Sequence, residues 1–271
     1  MKTKAKIKKT VLKTKRTKQY NYERLRIFNL IMGFLHLMQG VIMLIISSDF
    51  KLPVNSSFIQ FNATTLKLAP VIETLYELQI GPVIASFLFL SSLAHFLLTM
   101  PRIYDWYVSN LKKGVNFARW MEYAVSSSVM IVIIAMLVGI YDVASIILIF
   151  SLNACMILFG WLMELINMFT KKTNWLAYWF GSFAGIVPWV CIALFLAGAG
   201  SGDAQPPTFV YYIFFTIFIF FNTFAINMIL QYKKIGPWKN YTFGEGVYIL
   251  LSLVAKSLLA WQVWAGTLRP E

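Results

Sequence analysis

Lys256 stands inside the apolar run LLSLVAKSLLAWQ at 250–262, where a charged side chain needs either a partner or a chemical use. The surrounding stretch, Phe243 to Thr267, makes about 37 Å of helix at about 1.5 Å per residue, enough to cross a hydrocarbon core of about 30 Å. The lysine therefore lies near mid-depth, where a cation costs about 2.5 to 3.5 kcal/mol on insertion scales. Either interface is about 15 Å away, beyond the reach of the lysine stem, so snorkelling does not relieve that cost. Two uses compete: a structural ion pair, or a desolvated amine that attacks a carbonyl ligand and holds it as a Schiff base.

The other ionisable residues picked out inside apolar runs are His36, His95, Glu122 and Glu164. Glu122 is the natural partner of Lys256, because both helices run in the same direction and side chains lean toward a helix's amino terminus, which aims the amine at the half holding Glu122. Ser126, one turn after Glu122, and Ser252, one turn before Lys256, can each offer a hydroxyl to the same pocket. Ser127 and Ser128 are expected to bond back to their own helix. His36 has Gln39 on its face, and His95 has Ser91 and Thr99 at helical spacing, which fits a polar cluster, although a buried histidine is more often a satisfied structural residue. Glu164 is expected to reach the interface. Phe218, Phe220, Phe221, Phe224, Trp189 and Trp261 supply an aromatic side to the site, and such stripes alone are usually core or lipid-facing.

These residues need a membrane bundle to position them. The chain is 59% apolar and 17% aromatic with 13% charged residues, a balance of multi-span membrane proteins and foreign to ordinary soluble domains. Seven spans can be drawn, at about Ile27–Ile46, Ile80–Met100, Phe117–Ile140, Val143–Met168, Trp175–Ala197, Phe209–Gln231 and Phe243–Thr267, with Pro188 expected to kink the fifth. The fold class is thus all-α, a seven-helix membrane domain at 27–271 preceded by a basic tail at 1–26. The tail holds eleven Lys or Arg against Glu23 and is expected to be disordered or interfacial, touching anionic lipid; with no reading module behind it, nucleic acid is not the expected partner. Counted with the loops after spans two, four and six, that face carries nineteen Lys or Arg against three opposite, which places the amino terminus in the cytoplasm and the carboxyl terminus outside.

The exterior loop at 47–79 has two β-prone runs, Phe58–Phe61 and Thr64–Leu68, and a short hairpin is expected there. Cys155 and Cys191 sit in apolar runs and suggest neither a disulfide nor a metal site, and no catalytic set is visible, so an enzyme is not expected. No buried acid falls in the exterior half, Asp142 lying at a loop, which argues against proton pumping.

The segments RWMEYAVSSSVMIVIIA at 119–135, LNACMILFGWLME at 152–164, FGSFAGIVPW at 180–189, FFNTFA at 220–225 and LLSLVAKSLLAWQ at 250–262 resemble the heliorhodopsins, retinal-binding seven-helix proteins of inverted orientation. The resemblance runs from about Asn29 to the end. It implies that Lys256 binds all-trans retinal with Glu122 as counterion, and that His36, His95, Gln39, Tyr123 and Ser252 form a cytoplasmic polar network. It also implies that Asn153, Met156, Trp189, Phe221 and Trp261 line the retinal pocket, and that the protein is a homodimer in the cell membrane with the first exterior loop taking part. The resulting expectation is a light sensor without ion pumping; a light-gated channel, or a retinal-free transporter or scaffold built on the Lys256–Glu122 pair, are the rivals.

Overall fold

The computed structural model describes residues 2–200 and 205–270, with side chains of the first helix described from Tyr22 onward. In order the elements are α1 (Lys2–Ile46), β1 (Lys51–Asn62), β2 (Lys67–Gln79), α2 (Ile80–Leu97), α3 (Pro101–Leu111), α4 (Phe117–Leu137), α5 (Val143–Asn167), α6 (Leu176–Gly200), α7 (Thr208–Tyr232) and α8 (Tyr241–Val263), which runs on through a π-turn at Trp264–Leu268. Among the described residues seven helices are long and apolar enough to cross a membrane: the Tyr22–Ile46 part of α1, then α2, α4, α5, α6, α7 and α8 with its π-turn. The seven spans read from hydropathy are therefore present, and α6 runs through Pro188 as one element. The basic stretch is helical within α1, and the lipid contacts expected of it fall on side chains outside the described residues.

Two elements differ from expectation. The loop after the second span contains α3, only 11 residues long and so too short to span. Pro101 starts it at a position where a missing N–H costs nothing. Ile103, Tyr107 and Leu111, four residues apart, then press one face onto Leu25, Met32 and Leu98. The hairpin is also longer than the two runs suggested. Residues 51–62 pair antiparallel with 67–79, with a bulge between Val54 and Asn55. Thr64 and Thr65 belong to the turn instead, where their backbone N–H groups donate to Asn62 Oδ1 at 2.9 and 3.0 Å. The hairpin root is tied to the bundle by Asn55 N–H, which donates to the Tyr141 carbonyl at 2.8 Å.

The helices follow one another around the bundle: α1 packs on α2 and α8, α2 on α4, α4 on α5, α5 on α6, and α7 on α8, while α6 meets α7 through the Trp189 ring. α4 is the central helix, with 72% of the residues in its most apolar stretch buried, against 11% in α5, most of whose residues are half-buried or exposed. The α1–α2 seam is close because Gly33 and Gly40 face the rings of Phe96 and Phe89; a Cβ at either glycine would sit 2.9 or 2.7 Å from those rings. Toward the hairpin end the bundle is filled by Met43, Ile131, Ile134, Ile192, Ile213 and Leu259. Toward the tail end the apolar clusters around Tyr107 and Trp120 share the interior with buried polar and charged groups.

Candidate functional site

α4 and α8 run in the same direction, so Glu122, two turns into α4, and Lys256, past the middle of α8, meet across the helix interface. Lys256 Nζ lies 2.8 Å from Glu122 Oε1 and 2.9 Å from Ser252 Oγ, with side-chain exposures of 3% for the lysine and 8% for the glutamate. Glu122 Oε1 also accepts from Ser91 Oγ of α2 at 2.6 Å. The Tyr123 ring stands 5.1 Å from Nζ, a cation–π distance, and its hydroxyl donates to the Tyr248 carbonyl at 2.9 Å. One amine thus meets one carboxylate inside apolar protein, with hydroxyls trimming the pair. An ion pair so desolvated holds its geometry tightly and leaves the amine with few other orientations.

A cavity of about 50 Å³ opens beside Lys256, lined by Ser126, Ser127, Met130 and Ser252 among others. It shares Tyr123, Met156, Ile157, Phe221 and Phe224 with a larger cavity of about 190 Å³ that reaches α6 and Trp189. Trp189 packs edge-on against Phe214, Phe218 and Phe221, with ring centroids 5.8, 5.2 and 5.4 Å away. Two glycines let side chains pack closely along its wall. A Cβ at Gly185 would fall 2.2 Å from Met156 Sδ, and one at Gly160 would fall 2.5 Å from the Trp120 ring. An elongated apolar ligand with one end at Nζ is the shape this space admits.

The structure brings Glu122, Tyr123, Ser126, Ser252, Met156, Trp189 and Phe221 to this pocket and leaves others apart. Asn153 lines neither cavity; its Nδ2 donates to Ser127 and Ser128 at 2.8 and 3.0 Å, while those hydroxyls donate back to the Tyr123 and Ala124 carbonyls. Trp261 is 36% exposed and lines neither cavity; its indole N–H donates to Gln39 Oε1 at 3.1 Å. Gln39 is thereby drawn to the α1–α8 seam and away from the histidines. His36 and His95 stack with centroids 5.5 Å apart, and His95 Nδ1 is 2.8 Å from Asn29 Oδ1. Both imidazole nitrogens of His36 are buried without a hydrogen-bond partner.

Glu164 corrects an expectation: it does not reach the interface but is 2% exposed, ion-paired to Arg119. Arg119 pairs through its second terminal nitrogen with Glu245, which is 1% exposed. Glu164 Oε2 accepts from the Asn116 backbone N–H at 2.9 Å and from the Trp120 indole at 2.6 Å, and Glu245 Oε2 accepts from Asn116 Nδ2 at 2.6 Å. Arg119 and Glu245 were missed because each lies within a turn of its helix start, where charges normally meet water. Spacing was the available signal: Arg119 stands three residues before Glu122 and Glu245 eleven before Lys256, which puts both on the faces already picked out.

Comparison with known proteins agrees with this architecture. The transmembrane domain and linker region of Salpingoeca rosetta rhodopsin phosphodiesterase superposes with TM-score 0.64 at 13% identity, covering 93% of this chain and 82% of that one. The transmembrane domain of the same rhodopsin phosphodiesterase gives 0.63 at 11% identity, covering 92% and 87%. A light-driven proton pump from Leptosphaeria maculans gives 0.59 at 14% identity, covering 87% and 94%. At such identities the likeness speaks for the rhodopsin fold alone. Among curated proteins nothing matches. The heliorhodopsin family profile, in contrast, matches residues 25–268, nearly the whole chain, and the protein belongs to the heliorhodopsin family.

Proposed function

We propose that the protein is a light-sensing photoreceptor that holds all-trans retinal on Lys256 as a protonated Schiff base, with Glu122 as counterion and without ion pumping. Family membership implies a multi-pass membrane protein with a retinal chromophore. The observation that carries the finer reading is the buried 2.8 Å contact between Lys256 and Glu122 at the mouth of an aromatic cavity. The residues fit the group: the amine stands at one end, Met156, Trp189 and Phe221 wall the other, and Gly185 lets Met156 lie close against α6.

Retinal, when bound, supplies light absorption and a change of shape. The protein's part is to hold and steer charge. Glu122 balances the positive nitrogen, while Ser252 and Ser91 fix the pair by hydrogen bonds. The Tyr123 ring covers one side. A proton leaving this pair meets His95 and Asn29 toward the tail end. Toward the hairpin the core is mainly apolar, with Ser126, Ser127, Ser128 and Asn153 but no buried carboxylate among the described residues, so no carboxylate relay leads outward, and a proton returns the way it came.

Adding all-trans retinal to the purified protein is expected to produce a visible absorption band; no band sinks the reading. Under illumination in planar membranes no sustained current at zero driving force is expected. Such a current contradicts the absence of pumping, and one that reverses with the ion gradient supports the light-gated channel.

The amino terminus is assigned to the cytoplasm on the charge count. The homodimer is assigned to the hairpin, whose Ile59, Phe61, Leu68 and Ile72 form one apolar face with exposures of 67%, 61%, 70% and 72%. A carboxyl-terminal epitope should stain intact cells, and the detergent-solubilised mass should be that of two chains. Staining only after permeabilisation, or a monomer mass, overturns the respective assignment.

A further inference from the structure

Three Asn-X-Ser/Thr triplets occur in the chain, starting at Asn55, Asn62 and Asn240. The triplet is the acceptor pattern for an N-linked glycan, and because it also arises by chance, its place in the fold has to decide whether it can be used. The transferring enzyme works on the exterior side of the membrane, above the surface, and must reach the asparagine amide.

Asn240 stands on the wrong side. It caps α8 at the tail end, where its Oδ1 accepts from the Thr242 N–H at 3.2 Å and from the Thr242 hydroxyl at 2.8 Å. Asn55 is on the exterior side assigned above, but at the hairpin root. Its backbone N–H donates to the Tyr141 carbonyl at 2.8 Å, its Oδ1 accepts from Thr74 Oγ1 at 3.0 Å, and it is half-buried beside Asp142.

Asn62 differs in each respect. It ends the 12-residue β1, about 23 Å farther out than Asn55 at about 3.3 Å per residue. Asn62, Ala63 and Thr64 are all exposed at the hairpin tip. The N–H groups of Thr64 and Thr65 donate to Asn62 Oδ1, which fixes the carboxamide and leaves Nδ2 to solvent. Strand alternation puts Asn62 on one face with its partner Lys67 and with Gln60, whose amide donates to Glu73 at 2.5 Å. Ile59, Phe61, Leu68 and Ile72 lie on the other face, so a sugar on Asn62 leaves the apolar dimer face uncovered.

We propose that Asn62 is an N-glycosylation site, taking an oligosaccharide from a polyprenyl diphosphate carrier. In the transfer a bond forms between Asn62 Nδ2 and the anomeric carbon of the first sugar, and that carbon's bond to the diphosphate oxygen breaks. Nδ2 gives up one proton to a base of the transferring enzyme, and the polyprenyl diphosphate departs.

The proposal rests on the exterior placement of the hairpin and not on retinal. The test is synthesis of the full chain into endoplasmic-reticulum microsomes, read as intact mass before and after treatment with peptide-N-glycosidase. One glycan per chain is expected, lost in Asn62→Gln and in Thr64→Ala, and kept in Thr64→Ser, Asn55→Gln and Asn240→Gln. The readout is covalent mass, so it does not require the variants to fold. A second version of the chain, extended at the carboxyl terminus by an added acceptor triplet, reports orientation independently. A modified extension beside an unmodified Asn62 overturns the proposal and leaves the orientation standing. An unmodified extension with a sugar on Asn240 overturns the orientation, and the proposal with it. A glycan that survives Asn62→Gln also overturns the proposal, because another asparagine then carries it.

Discussion

Lys256→Ala is expected to give a protein with no visible band at any retinal concentration, together with a loss of stability. The first effect is all or none, because Nζ is the amine that stands at the cavity mouth and the other described lysines lie outside the bundle core. The second follows from what remains. Glu122 keeps its contact with Ser91 but loses its only cation while buried, and removing one partner of a buried pair costs about 3–5 kcal/mol. Glu122 can limit that loss by taking up a proton, so Lys256→Ala combined with Glu122→Gln should recover most of the melting temperature and none of the colour. A retinal band in Lys256→Ala would place the attachment elsewhere. A double variant no more stable than the single one would mean that the lysine acts through packing and not through charge.

Arg119→Leu should be the most destabilising single change in the tail-end half. It leaves Glu164 and Glu245 facing one another with no cation between them, at about 3–5 kcal/mol for the broken buried pairs. It also removes the guanidinium from between the Trp120 and Tyr248 rings, 4.5 and 4.0 Å from their centroids, worth about 0.5–2 kcal/mol more. Arg119→Lys should fall between the two, since an ammonium is a single point charge and cannot spread two nitrogens to two carboxylates as the planar fork does. Thermal unfolding in detergent measures all three proteins. A shift for Arg119→Leu equivalent to less than about 1 kcal/mol would mean that water already reaches the cluster.

The parts of this protein that could be read before any coordinates were those governed by one strong periodic or energetic signal. Seven apolar runs of membrane length stand out because bilayer thickness imposes the same length on each, and Lys256 stands out because nothing else at mid-depth resembles it. The polar cluster was opaque for the opposite reason: Arg119 and Glu245 lie near helix starts, where a charge needs no explanation, and only the inward turn of α4 and α8 distinguishes them from interfacial residues. Trp261 and Gln39 show a further limit. Each carries the right chemistry on a suitable helix, but their mutual hydrogen bond on the α1–α8 seam could not be seen from spacing within either helix. The hairpin's extent was hidden by Pro53 and Pro70, which break the look of a strand without preventing pairing, and α3 by its mixture of polar and apolar residues.

The ion pairs also set an order of assembly during synthesis. The contacts between Arg119 and Glu245 and between Glu122 and Lys256 span 126 and 134 residues of chain. α4 therefore enters the bilayer carrying Glu122, whose partner on α8 has not yet been made, and Arg119, which can meet Glu164 of α5 before Glu245 of α8 exists. Each unpaired charge raises the cost of holding its helix in lipid, so the first six spans form a loosely committed assembly, and the last helix closes both contacts in one step. Closure of the bundle thus waits for α8, and the residues that hold the site are the same ones that close it.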